Sequence, residues 1–140
     1  MKKYRMYCFT HTVFFYEVFI RSEFIYLKGQ ISDMIGKIVK VIVDRPLGTF
    51  HPKHKDIFYS VNYGFIPGII AADGEEQDAY ILGIDEPVAE FTGKVIAIIH
   101  RFDDVEEKWV VSAENISFSK SEIEKLVYFQ EKFFDIEIRM

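Results

Sequence analysis

The sequence predicts a mainly β domain, a small β-barrel with one C-terminal α-helix packed on it, and three observations carry that reading. Short runs of β-branched and aromatic residues recur along the chain, Pro, Gly and Asp turn signals separate them, and helical spacing of apolar residues is found late, between residues 119 and 134. At 140 residues the chain suits one domain, large enough to bury a core without disulfide or metal staples. Its 49% apolar and 16% aromatic content is that of a globular protein and excludes wholesale disorder.

Residues 1–33 come first and read differently from the rest. They begin with basic residues and are crowded with aromatics, but Glu17, Arg21 and Glu23 interrupt the apolar run and no small-residue cleavage site follows. A transmembrane helix needs about 20 apolar residues, more than this segment supplies. The segment is therefore expected to be an N-terminal extension outside the native domain, which is expected to occupy residues 34–140. The alternative is a short helix or strand whose aromatics pack on the body or on a partner chain.

From residue 37 the pattern is legible. Residues 37–43 (KIVKVIV) predict a strand, stopped by the turn signals Pro46 and Gly48. Residues 48–56 (GTFHPKHKD) form a basic loop, and residues 57–70 predict short aromatic strand pieces punctuated by Gly64, Pro67 and Gly68. The acidic loop 73–78 (DGEEQD) precedes apolar runs at 80–84 and 94–100, which read as buried strands separated by the turn at Asp85, Glu86 and Pro87. A second charged loop, 101–107, leads into a strand at 108–111. Residues 119–134 predict an amphipathic helix with a capping box at Ser121 and Glu124 and an apolar stripe of Ile123, Leu126, Val127, Phe133 and Phe134.

Charge narrows the function. Seventeen basic and 22 acidic side chains leave a net charge of −5, which argues against a nucleic-acid partner, because that affinity needs clustered Lys and Arg. A small anionic ligand is compatible only if cations bridge it to the protein. The DGEEQD loop places four carboxylates in six residues, and neighbouring like charges at about 4 Å repel by roughly 4 kcal/mol at the effective dielectric of a protein surface. That loop calls for a cation or for full solvation. The single cysteine, Cys8, excludes an internal disulfide and fits a reducing, cytoplasmic setting. His51, His54 and His100 have no partners at zinc-site spacing.

Four stretches, taken in order, resemble the soluble, Mg²⁺-dependent family I inorganic pyrophosphatases. Residues 58–67 (FYSVNYGFIP) are similar to that family's Y-P-x-N-Y-G-[YF]-I-P stretch, and DGEEQD is similar to its D-G-D-P-x-D signature. Residues 103–108 resemble its acidic loop ending D-x-K, here Glu106, Glu107 and Lys108, and residues 43–46 stand where the family has Glu-Ile-Pro after an early strand. Together they span residues 37–112, with a weaker match at the C-terminal helix.

The resemblance implies a five-stranded closed β-barrel of the OB-like, pyrophosphatase type, and an inorganic diphosphatase that hydrolyses pyrophosphate to two phosphates with Mg²⁺ as cofactor. It implies Asp73, Asp78 and Glu106 as ligands of water-activating ions, and Asp103 and Asp44 as ligands of the Mg²⁺ that arrives with substrate. Glu75 takes the place of the family's proton-accepting Asp, and Lys108 and Tyr59 would hold phosphate oxygens, with Tyr63 on the same wall. Hard Mg²⁺ prefers oxygen ligands, and phosphoryl transfer asks a protein mainly for positioning and charge stabilisation, so these residue types suit that chemistry. Homo-oligomers are also a family habit.

The departures are equally specific. The family's Lys-x-Glu hairpin and its Arg are missing between residues 45 and 58, where Lys53 and Lys55, with Arg45, are the cations at hand to replace them. Its late Tyr-Lys pair falls at Phe133 and Phe134, which cannot bind phosphate. Glu75 and Glu106 replace Asp, and Asp44 replaces Glu; a displacement of about 1 Å can lower a rate on the order of a hundredfold. Reduced activity is expected, and the alternative is a non-catalytic relative that binds metal with phosphate or a nucleotide.

Overall fold

The computed structural model describes residues 34–140, so the expected extension 1–33 lies outside the described residues. Six strands and one helix follow in the order β1 (Ile38–Arg45), β2 (Asn62–Ile70), β3 (Glu76–Leu82), β4 (Glu90–Arg101), β5 (Glu107–Ser112), α1 (Lys120–Glu131) and β6 (Ile136–Arg139). The strands pair in the order β1-β2-β3-β5-β4, and a further β1–β4 pairing closes them into a five-stranded barrel. Twelve-residue β4 makes closure possible by dividing one edge between two partners. Its first half pairs with β1, from Glu90 opposite Ile42 to Lys94 opposite Ile38, and its second half pairs with β6, from Ile98 opposite Arg139 to Arg101 opposite Ile136. That last strand was not anticipated from the sequence.

Strands β3 and β5 and the second half of β4 read as continuous apolar runs because both faces of the wall are covered there, whereas β1 alternates buried and exposed residues. Val39, Val41, Ile66, Ala79, Ile81, Val95, Ile98, Trp109 and Val111 form one buried cluster to which all five barrel strands contribute, and this cluster fills the barrel. The alternate residues of β2–β5, among them Tyr63, Tyr80, Leu82, Ala97, Ile99 and Val110, join Ile57, Tyr59, Val61, Ile123, Val127 and Ile138 in a second cluster between barrel and helix. Strand side chains alternate faces, and the shift of register between Val95 and Ala97 restores the alternation after Ile96. Gly64 sits where a Cβ would strike the carbonyl of Ile42, so only glycine lets β1 and β2 approach this closely.

The helix departs from the expected boundaries in two ways. Ser119, not Ser121, is the N-cap: its Oγ accepts from the Glu122 amide at 3.1 Å, while the Glu122 carboxylate accepts from the Ser119 amide at 2.8 Å. Both serines have a Glu three residues on, and it is Ser119 with Glu122 that makes both bonds of the capping box. The helix then ends at Glu131, before Phe133 and Phe134, and its buried face is Ile123, Val127, Gln130 and Glu131, with Leu126 and Phe133 exposed. Among the described residues no helix is long and apolar enough to cross a membrane.

Candidate active site

An open cavity of about 480 Å³ lies on the helix-facing side of the barrel wall, beside the C-terminal end of α1. Strand geometry explains its floor. β3 and β5 run parallel with Ala79 opposite Trp109, so the preceding residues, Asp78 and Lys108, stand side by side on the face that also carries Tyr80 and Val110. Tyr63 lies opposite Tyr80 on β2, one step along from Asp78 and on the same face. The cavity is lined by Asp78, Lys108 and Tyr63, by Arg101 from the last position of β4 and Glu106 from the loop that follows, by Arg45 from the end of β1, by His51, His54 and Asp56 from the loop after β1, and by Gln130 and Phe134 at and just beyond the helix end.

Lys108 is the charged centre of the floor. It is only 4% exposed, and its ammonium donates to Asp78 at 2.5 Å and lies 3.4 Å from Glu106. Tyr63, also buried, has its hydroxyl within hydrogen-bond reach of Asp78; burial first, and the Asp78 charge second, push its pKa well above the usual tyrosine range. The carboxyl of Glu106 is raised by burial, against the pull of Lys108 and Arg101, with Asp73 close enough to hydrogen-bond it.

A polar chain runs from this floor around the cavity. Arg101 Nη1 donates to Glu106 at 3.1 Å, while its Nε and Nη2 donate to the buried Glu131 at 3.0 and 2.6 Å. Tyr80 Oη also donates to Glu131, at 2.6 Å, and accepts from Gln130 Nε2 at 2.7 Å. Gln130 Oε1 in turn accepts from Tyr59 Oη at 2.5 Å, and Tyr59 Oη accepts from Arg45 Nη1 at 2.8 Å. The Arg101 guanidinium covers the Phe134 ring at 3.6 Å and Arg45 faces Tyr59 and Tyr63 at 5.8 and 5.7 Å. The network thus ties β1, β3, the loop after β4 and the helix end to one another.

The sequence-derived candidates are distributed unevenly around this centre. Lys108, Asp78, Glu106 and Tyr63 line the cavity, and Tyr59 reaches it through Arg45 and Gln130. Asp73 approaches Glu106 while its Oδ1 accepts from the Glu75 amide at 3.0 Å, a turn that leaves Glu75 exposed. Asp44 is exposed at the end of β1, within electrostatic reach of Asp78. Asp103 is exposed in the turn after β4, and Lys53 and Lys55 are exposed in the loop after β1; none of the three lines the cavity. The cations that do are Arg45, Arg101 and Lys108.

Arg101, Gln130, Glu131 and Tyr80 were missed as site residues. A signal for the helical pair was present: Gln130 and Glu131 fall seven and eight residues after Ile123, on the stripe that a period of 3.6 turns inward. A polar pair on an apolar stripe needs buried partners, and Arg101 and the two tyrosines are those partners.

The donor chemistry suits a hard divalent cation. Asp73, Asp78, Glu106 and Asp44 offer only carboxylate oxygens, and Asp73 lies against Glu106 while Asp44 lies within electrostatic reach of Asp78, so that like charges come near one another. Among the described residues, however, no three His, Cys, Asp or Glu side chains gather where they could hold a metal ion. Lys108 stands between Asp78 and Glu106. The set fits Mg²⁺ in kind, with an ammonium as its present counter-charge.

No protein-family model matches the chain, and no curated protein matches it either. Among solved structures, its fold is similar to that of an inorganic pyrophosphatase from Ehrlichia chaffeensis, with 18% identity, 74% of this chain and 85% of that chain covered, and a TM-score of 0.57. It is also similar to an inorganic phosphatase from Anaplasma phagocytophilum, with 18% identity, coverage of 73% and 82%, and a TM-score of 0.53. An inorganic pyrophosphatase from Coxiella burnetii matches with 17% identity, coverage of 74% and 84%, and a TM-score of 0.53. The closed barrel and its C-terminal helix thus form a pyrophosphatase-like fold.

Proposed function

We propose that the chain is a Mg²⁺-dependent inorganic diphosphatase that hydrolyses pyrophosphate to two phosphates. The observation that carries the reading is the meeting of Lys108, Asp78, Glu106 and Tyr63 on one cavity floor, within a pyrophosphatase-like fold. Asp73, Asp78 and Glu106 would hold activating Mg²⁺, with Asp44 and Asp103 toward ions that enter with substrate. Bound Mg²⁺ supplies Lewis-acid charge and lowers the pKa of water.

The chain's own residues divide the remaining work. Lys108, itself buried on the cavity floor, would place its ammonium against phosphate oxygens, where a fixed charge stabilises the transition state. Arg45 gives the opposite wall a second cation, held by Tyr59, and Tyr63 keeps the Asp78 carboxylate oriented. Glu75, exposed two residues after Asp73, is the candidate proton acceptor. Lys53 and Lys55 would contribute only through the general field of the loop.

One observation favours a second reading. Arg101 and Lys108 together neutralise Glu106, and Arg101 is anchored by Glu131, an arrangement that also suits a non-catalytic site for phosphate or a nucleotide. Phosphate release from pyrophosphate, followed across a Mg²⁺ titration with Asp78→Asn as control, separates the two. Metal-dependent release by the wild type and its loss in the control support the enzyme. Equal inactivity of both, with Mg²⁺ and phosphate still raising the wild-type melting temperature, would leave the binding reading.

A further inference from the structure

The loop between β1 and β2 brings two imidazoles to the cavity. Its lysines, Lys53 and Lys55, point to solvent, whereas His51 and His54 line the cavity. The loop is a built structure. Its two ends are joined by backbone bonds from Gly48 to Tyr59 O at 2.8 Å, Tyr59 to Thr49 O at 2.8 Å and His51 to Ile57 O at 2.9 Å. The His51 ring lies nearly parallel to the Tyr59 ring, at 6.3 Å and 20°, and 4.8 Å from His54.

The decisive detail is at Nδ1 of His51. The amides of Lys53 and His54 both point at it, at 3.0 and 3.2 Å. A backbone N–H can only donate, so Nδ1 must carry its lone pair, and neutral His51 must hold its proton on Nε2. Protonating the ring would set an Nδ1–H against two other donors. Burial, Arg45, His54 and Lys53 also oppose the charged form and lower the pKa, against Asp56. Nε2–H has no partner among the described residues, and Arg45, which lines the same cavity, is fixed through Tyr59.

We propose that His51, as a neutral Nε2–H donor, binds a phosphoryl oxygen of the substrate beside Arg45, and that this pair forms the anion-recognition edge in place of the absent hairpin. The inference rests on the proposed pyrophosphate site. It assigns His51 to binding rather than to proton transfer, because the two loop amides hold one tautomer and resist the imidazolium form.

The test is calorimetric titration of the wild type, His51→Asn and His51→Gln with methylenediphosphonate, a non-hydrolysable pyrophosphate analogue, in the presence of Mg²⁺. Asparagine retains an acceptor near the Nδ1 position for the two loop amides but loses the distal donor, whereas glutamine places an N–H near Nε2. Binding by His51→Asn is expected to weaken tenfold or more with an unchanged melting temperature, and His51→Gln is expected to recover part of the loss. A wild type that binds while His51→Asn binds equally well would overturn the role of His51 and leave the site proposal standing. A wild type that binds neither the analogue nor pyrophosphate would overturn both. Independently of folding in the variants, ¹⁵N spectra of the wild-type imidazole should show the Nε2–H tautomer and a shift of Nε2 on adding the analogue; an Nδ1–H tautomer or an unmoved Nε2 would overturn the proposal.

Discussion

Replacing Glu131 by alanine should be among the most damaging single changes to this fold. Glu131 is 2% exposed and accepts from Arg101 Nε and Nη2 and from Tyr80 Oη, at 3.0, 2.6 and 2.6 Å. Its loss strands a buried guanidinium with Glu106 as its remaining carboxylate and deprives a buried tyrosine of its acceptor. Breaking a buried pair from one side destabilises by about 3–5 kcal/mol, against a total of about 5–15 kcal/mol for an ordinary domain. In a domain of about 100 residues that corresponds to a fall in Tm on the order of 15–30 °C. Urea unfolding followed by the fluorescence of Trp109, the single tryptophan and buried in the barrel, measures it directly. The double variant Arg101→Met/Glu131→Leu should recover more than half of the loss, since neither partner of the buried pair is left behind unpaired. A single-variant loss below about 1 kcal/mol, or a double-variant loss equal to the sum of the two single ones, would refute the reasoning.

Three further outcomes are expected. Gly64→Ala drives a Cβ into the Ile42 carbonyl and should destabilise by more than about 4 kcal/mol; circular dichroism of a folded variant with near wild-type Tm would contradict the close β1–β2 approach. Ser119→Ala removes the N-cap acceptor and should lower stability by about 1 kcal/mol, whereas Ser121→Ala should change it little, a contrast that denaturant midpoints can read. Because the folded-state pKa of His51 lies below 6.5, its contribution to stability is present above that value and falls away as pH drops through the folded pKa. The loss of Tm between pH 8 and pH 5 should therefore be smaller in His51→Asn than in the wild type; identical pH profiles would show that His51 does not titrate in this way.

Local pattern made much of the fold legible. Runs such as residues 94–100 and 108–111 are apolar at nearly every position because their strands are covered on both faces, and residues 37–43 are β-branched and lie against the Pro46 turn, so each could be identified without knowing its partners. The barrel strands and the late helix were readable for this reason. Strand β6 was not: Ile136–Arg139 is four residues long, and nothing in its own sequence shows that β4 leaves an edge free to receive it. The sequence places the helix start two residues late because Ser119 and Ser121 offer the same capping pattern, each with a Glu three residues on.

For the site, residue types in short motifs close to strand ends set the chemistry available: hard carboxylates at Asp73, Asp78 and Glu106, an ammonium at Lys108 and a phenol at Tyr63. Tertiary structure decided which of them meet. The parallel register of β3 and β5 sets Asp78 beside Lys108, β4 ends by turning Arg101 inward while the turn after it leaves Asp103 in solvent, and the loop after β1 presents His51 in place of its lysines. Ion pairing and burial act over a few ångströms between residues as much as 71 positions apart, as in Tyr59 and Gln130. A one-dimensional pattern holds the donors and acceptors but not those distances, and the closing of the barrel against its helix creates them.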